Sequence, residues 1–442
     1  MSDGVRPRGE RVATIALWLL ALTLPLGALV QPWLLPSRSQ PPAVALQLDA
    51  PVILVTVAGL RADRVHHLGA ERAVTPTLDD FAVHGASFEL AWANSNDERA
   101  TVATILTGLC PAESGVRGAA DVLPPGAQTL AERARDDGYR TGAVLANPAL
   151  IDSGLEQGFR HVEPLAGAPA DAAFERALAL IDGPLGRRYL LWVDLGDLLP
   201  PYGGPQLDLQ PFAPDAPPFF GASPGEYGLD ERARAERGWG ERETRWLSLR
   251  YDAAVAALDA AFGRFLDALR ERRQLDALTL VVVGTRGERL DERPGPVGAH
   301  ALDLYDESVH VPLLVRLPAR HLAGQLTDRL AMTIDIGPTL AELALHKAWT
   351  DVRGESLAPV LRNRKPVRAA LVAEGQVVSD DGDRFYGYAL YPRSDKPGLE
   401  YKLITDLGGS RATVTMRLKD PAERDLIAVS PADFKSRLYS AA

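Results

Sequence analysis

The chain has 442 residues, of which 46% are hydrophobic, more than one compact core usually holds, so a main domain with a smaller companion is expected. A formal charge of −10 with acids and bases interspersed excludes the basic stripe that a nucleic-acid partner requires. The single cysteine, Cys110, excludes an internal disulfide and a cysteine-built zinc site.

Residues 12–30, which include IALWLLALTLPLGALV, carry no charge and are long enough to cross a bilayer core as a helix. Arg6, Arg8 and Arg11 precede this stretch and only Arg38 follows closely, so the expectation is a single-pass membrane protein whose later part is extracytoplasmic. The competing reading is a cleaved signal peptide, but the stretch is long for one and no small-x-small site follows it. Pro32, Pro36, Pro41 and Pro42 then lead to the first strand. The expected organisation is a cytoplasmic 1–11, an anchor at 12–35, a linker at 36–50, a main domain at 51–365 and a C-terminal subdomain at 366–442.

From residue 51 short β-branched runs alternate with amphipathic stretches, which predicts an α/β fold with a doubly wound, mostly parallel sheet covered by helices. Strands are expected at 52–57, 141–146, 189–193, 278–283 and 311–316, and helices at 77–84, 98–109, 129–136, 171–181 and 246–272. The stretch 200–241, rich in proline, glycine and aromatics, has neither period and reads as a long excursion near the mouth of the sheet, either substrate-facing or an insertion without a role. Beyond 362 the strand-like runs 369–373, 386–391, 401–405 and 412–417 predict a small antiparallel sheet. No internal repeat is present.

In a doubly wound sheet ligands collect beyond the carboxyl ends of the strands. The segment VILVTVAGLRADRV from Val52, followed by TPTLDDFAVHGASFELAWANS, resembles the opening of a bacterial sulfatase of the alkaline phosphatase superfamily. The resemblance continues in the family's order through TILTGLCP at Thr104, GYRTGAVLANP at Gly138, Tyr251-Asp252, LYDESVHVPLLVRLP at Leu304, DIGPTLAELA at Asp335 and GESLAPVL at Gly354. It ends with YKLITD at Tyr401 and LKDPAERDL at Leu418.

The resemblance implies a Ca²⁺ held by strand-end carboxylates and a nucleophile at a helix N-terminus, where free amides and partial positive charge favour an anion. The matching positions are altered. The first-strand metal aspartate is Ala58, followed by Gly59, and Asp63 in the surviving Arg-Ala-Asp reads as a solvated or capping carboxylate. The nucleophile position, counted back from Leu106-Thr107-Gly108, is Glu98. Cys110 follows the Thr-Gly and reads as a packed core residue, and Ser95 and Thr101 read as capping and helix-surface hydroxyls. After the strand at 278–283, the metal aspartate and its histidine neighbour are Thr285 and Arg286. The two histidines of the family's Val-His-x-x-Asp-Pro-His are Asp194 and Leu199, whereas His300 keeps a sulfate-contacting position.

These substitutions predict that no metal ligand set and no intact catalytic group remain, and that Arg286 stands in for the cation as a partner of Glu98, with Arg61 a further candidate partner. Cleft candidates are therefore Arg61, Glu98, Asp194, Thr285, Arg286 and His300. Three functions are consistent with this pattern. The first is a membrane-anchored pseudo-enzyme that binds an anionic glycan, a lipid headgroup or a protein partner through the old cleft. The second is a sulfuric or phosphoric ester hydrolase or transferase rebuilt on Glu98, Asp194 or His300. The third is a structural or assembly component of an envelope complex. An open cleft where Arg61, Arg286 and His300 converge favours binding, and a cleft filled by 200–241 favours assembly.

Overall fold

The structure is a computed structural model; it describes residues 50–217, 220–222, 236–290, 292, 303–345, 348–362, 370–378, 384–392, 402–406, 412–415 and 427–428. The chain divides into two compact units, Met1–Ala45 and Leu46–Ala442, of which the first, with the expected anchor, lies outside the described residues. Among the described residues no helix is long and apolar enough to cross a membrane.

The strands are β1 (Val52–Val57), β2 (Ala86–Phe88), β3 (Ala91–Trp92), β4 (Arg140–Leu145), β5 (His161–Pro164), β6 (Tyr189–Leu195), β7 (Thr279–Gly284), β8 (Leu313–Arg316), β9 (Gln325–Thr327) and β10 (Ala331–Met332). The C-terminal strands are β11 (Ala370–Val378), β12 (Arg384–Pro392), β13 (Lys402–Asp406), β14 (Ala412–Thr415) and β15 (Ile427–Ala428). The principal helices are α1 (Pro76–Val83), α2 (Glu98–Thr107), α3 (Leu130–Asp136), α4 (Ala170–Leu180), α5 (Glu241–Glu271) and α6 (Ile336–Ala344).

The main sheet has eight strands in the order β5-β4-β6-β1-β7-β8-β2-β9. Its central strands are parallel, and β8 runs against both β7 and β2. Val57 at the end of β1 pairs in register with Leu195 of β6 and Gly284 of β7, so the residues following those strands emerge side by side. Strands β1 and β7 are buried at every position, which is why they read as unbroken apolar runs.

On one side, α5 presents Leu247, Tyr251, Val255, Leu258, Phe262, Phe265 and Leu269 to a core shared with α1, α4 and the sheet. Phe262 meets Phe81 edge-on at 5.4 Å, and Phe265 stacks on Phe174 at 4.5 Å. Helix α3 starts as its sequence signals: Thr129 and Glu132 form a reciprocal capping box, with the Thr129 hydroxyl accepting from the Glu132 N–H and the Glu132 carboxylate from the Thr129 N–H. The expected helix at 98–109 stops at Thr107 because Gly108 turns left-handed at φ 67° and closes onto the Thr104 carbonyl.

Strands β2, β3, β5, β9 and β10 are too short to show a period, so pattern reading passes over them. Helix α5 starts earlier than expected, at Glu241, where Glu243 turns back to accept the Gly240 N–H at 2.8 Å. Strands β11 to β15 form a separate antiparallel sheet. It packs Ala373, Val377, Ala389 and Ile404 against Trp92, Val309, Val311 and Ile334 of the main body. A buried Lys402 on β13 donates to Asp306 at 3.0 Å and adds an ion pair to this junction.

Candidate functional site

Ala58, Asp194, Thr285, Arg286 and Glu98 are all buried where the family's catalytic centre would lie. Backbone bonds set the first loops: the Ala58 N–H donates to Leu195 O at 2.9 Å and the Thr285 N–H to Val57 O at 3.0 Å. Asp97 caps α2 by accepting the Ala100 N–H, which leaves Glu98 in the first turn with its side chain turned inward.

Arg286 Nε lies 3.8 Å from Glu98 Oε1, and its Nη1 donates to Glu288 Oε1 and to the Gly287 carbonyl. Glu98 also receives a bond of 3.1 Å from Asn147 Nδ2, at the exit of β4, and Glu288 one of 3.0 Å from the Tyr202 hydroxyl. Burial works against the Arg286 charge, but the carboxylates of Glu288 and Glu98 outweigh it and raise its pKa further. A guanidinium therefore sits between two carboxylates, with the partners that a buried cation needs.

Asp194 occupies a different environment. Trp192 Nε1 donates to Thr56 Oγ1 at 2.8 Å, and the Thr56 hydroxyl donates to Asp194 Oδ1 at 2.5 Å. Burial pushes the Asp194 carboxyl well up; the Thr56 bond opposes this, and the negative charge of Glu98 adds to it. Asp194 Oδ2 is buried without a hydrogen-bond partner among the described residues, as is Thr285 Oγ1.

Arg61 does not join Glu98. It is buried and chelates Asp63 through Nε at 2.9 Å and Nη2 at 2.6 Å, pairs with Glu292, and donates to the Glu288 carbonyl at 2.8 Å. Its loop is pinned from α5, where the Tyr251 hydroxyl donates to Gly59 O at 2.6 Å. The closure is tight: a Cβ on Gly59, whose φ is +80°, would stand 2.6 Å from Leu198 O.

Leu198, just before the 200–241 excursion, and Tyr202, at its start, are buried, and Arg250 of α5 holds this segment by donating to the carbonyls of Pro201, Gly204 and Phe220. Leu199 is half-buried. His300 lies outside the described residues. Thr101 is not on a helix surface as expected but fully buried, donating to Ser95 O at 3.0 Å, and the cap is Asp97 while the Ser95 hydroxyl accepts the Asp97 N–H. Asp63 is exposed and paired to Arg61, and Cys110 is half-buried against the cluster around Trp92.

Glu288, Asn147, Tyr202 and Thr56 were not singled out from sequence. Only Glu288 left a signal there, as an acid two residues beyond a strand-end arginine.

The donor set does not fit calcium, which takes about six to eight oxygen ligands. Ala58 offers a methyl group, Thr285 a neutral hydroxyl and Arg286 a cation, while the Glu98 oxygens face Arg286 and Asn147. Among the described residues no group of three or more His, Cys, Asp or Glu side chains is arranged to hold a metal ion.

Fold and site together define a sulfatase-like architecture with a buried arginine–carboxylate network beyond its central strands. The sulfatase family profile matches residues 231–346. Delta 4,5-hexuronate-2-O-sulfatase of Bacteroides thetaiotaomicron is 23% identical over 82% of this chain and 81% of its own length. N-acetylglucosamine-6-O-sulfatase of the same organism is 29% identical over 35% of this chain, a stretch that spans only 26% of that relative. Among solved structures, one in complex with its substrate D-glucosamine-2-N,6-O-disulfate superposes with a TM-score of 0.73 at 18% identity, covering 89% of this chain and 96% of that one. The chain has a sulfatase-like fold and is similar in sequence to sulfatases.

Proposed function

We propose that this protein is a membrane-anchored pseudo-enzyme: a sulfatase-like domain that no longer hydrolyses sulfate esters and serves as a non-catalytic component on the extracytoplasmic side. The observation that carries this reading is the buried contact of 3.8 Å between Arg286 and Glu98, which puts a fixed cation against the residue at the nucleophile position. Relatives named for sulfate removal from N-acetylglucosamine or hexuronate make sulfated sugars the ligand class to test first.

The state of the cleft favours assembly over ligand binding. Arg61 and Arg286, the two groups that would receive an anion, are buried and engaged by carboxylates, and Tyr202 donates to Glu288, the partner of Arg286. The anchor is the apolar run at 12–30 behind Arg6, Arg8 and Arg11, with the compact unit from Leu46 onward held outside. The test is hydrolysis of aryl sulfates, sulfated glucosamine and phosphate or phosphonate monoesters by the purified full chain, with and without added calcium. No turnover above a heat-denatured control is expected. Calcium-dependent turnover would overturn the proposal, and turnover independent of metal but lost in Glu98→Gln would favour the rebuilt hydrolase instead.

A further inference from the structure

The opposite end of the main sheet, away from the arginine–carboxylate network, has its own chemistry. Arg140 opens β4, Arg187 and Arg188 immediately precede β6, Arg273 lies between α5 and β7, and Arg316 ends β8 with Arg320 just beyond. The register lines these positions up, because Arg140 pairs with Tyr189, Val52 with both Leu190 and Thr279, and Arg316 with Leu280. The domain begins in the middle of this row: Ala50 is fixed where Tyr139 Oη donates to its carbonyl at 3.2 Å, and Arg188 stacks on the Tyr139 ring at 4.4 Å.

The row is basic although the chain as a whole carries −10. Asp137 neutralises Arg188, and a single carboxylate, Asp276, serves both Arg316 and Arg320. Among the described residues Arg140 is held by the Pro184 carbonyl, and the exposed Arg187 and Arg273 form no ion pair. The exposed acids there, Asp136, Asp182, Glu271 and Asp276, are fewer than the arginines, and Asp182 pairs with Arg272. Residues 31–50 separate the apolar run from β1.

We propose that this end of the sheet is a membrane-facing surface whose arginines bind the anionic headgroups of phospholipids. The inference rests on the anchored reading above for its geometry, while its chemistry stands on the arginine row. The row surrounds the point where the described domain begins, and cations near an anionic surface are attracted until salt screens them.

The test reconstitutes the full chain, with a protease site inserted in the 36–50 linker, into vesicles of phosphatidylcholine alone or mixed with phosphatidylglycerol. After linker cleavage, the freed domain is expected to stay on the anionic vesicles at low salt, to leave them at high salt, and to leave the zwitterionic vesicles at once. The variant Arg187→Gln/Arg273→Asn/Arg320→Asn should lower the partition onto anionic vesicles about a hundredfold, from about fivefold per arginine, with its melting temperature unchanged. Asparagine suits positions 273 and 320, where φ is 56° and 55°. Equal release from both vesicle types, or retention of the triple variant like the parent, would overturn the proposal. Loss of the uncleaved chain in an alkaline wash would refute the anchor alone, because the freed domain added to preformed vesicles still reads the arginine surface.

Discussion

Removing Arg286 would leave Glu98 and Glu288 facing each other across a buried space without the cation between them. Breaking a buried ion pair from one side costs about 3–5 kcal/mol, so Arg286→Met should lower stability by that order in urea unfolding, and adding Glu98→Gln should recover part of it. Asp194 gives a prediction in pH. Its carboxyl titrates well above the usual range when folded, so the folded state holds a proton that the unfolded chain releases near pH 4. The stabilisation is full below that value and is lost as pH rises toward the folded pKa, by up to about 1.4 kcal/mol per pH unit. The isosteric neutral Asp194→Asn should lack this slope, which a urea series at several pH values would detect. The substitutions at 58, 98, 285 and 286 were legible because each falls inside a recognisable motif. Their partners were not, since Asn147 and Tyr202 arrive from other strand exits and nothing local in sequence pairs them with Glu98 or Glu288.

At the level of elements, the long buried strands and amphipathic helices could be read because their periods run for six residues or more. The short strands could not, and the excursion after residue 200 has no period at all, so its docking on α5 follows from tertiary contacts. Arg250 supplies three side-chain bonds to that segment. Arg250→Ala should raise hydrogen exchange in 200–217 while leaving β1 and β6 protected. The C-terminal sheet depends in the same way on Lys402, buried against Asp306 and facing the Tyr305 ring at 5.9 Å. Lys402→Ala should let β11 to β13 exchange ahead of the main sheet, and exchange in step with it would show that apolar contact alone holds the junction.

On the scale of the whole molecule, a sulfatase-like fold carries an internal ion network of Arg286, Glu98 and Glu288 beyond the ends of its central strands. The same sheet carries arginines at its other end, where the domain begins. The central claim, that Arg286 takes the place of a metal, concerns the first of these features. Calcium content and calcium-dependent melting, measured on the full chain and on Ala58→Asp/Thr285→Asp/Arg286→Asn, test that claim most directly. The account predicts no stoichiometric calcium and no calcium-induced rise in melting temperature for the natural chain, with a rise for the variant that restores carboxylates and removes the guanidinium. Stoichiometric calcium in the natural chain, with Arg286 in place, would contradict it.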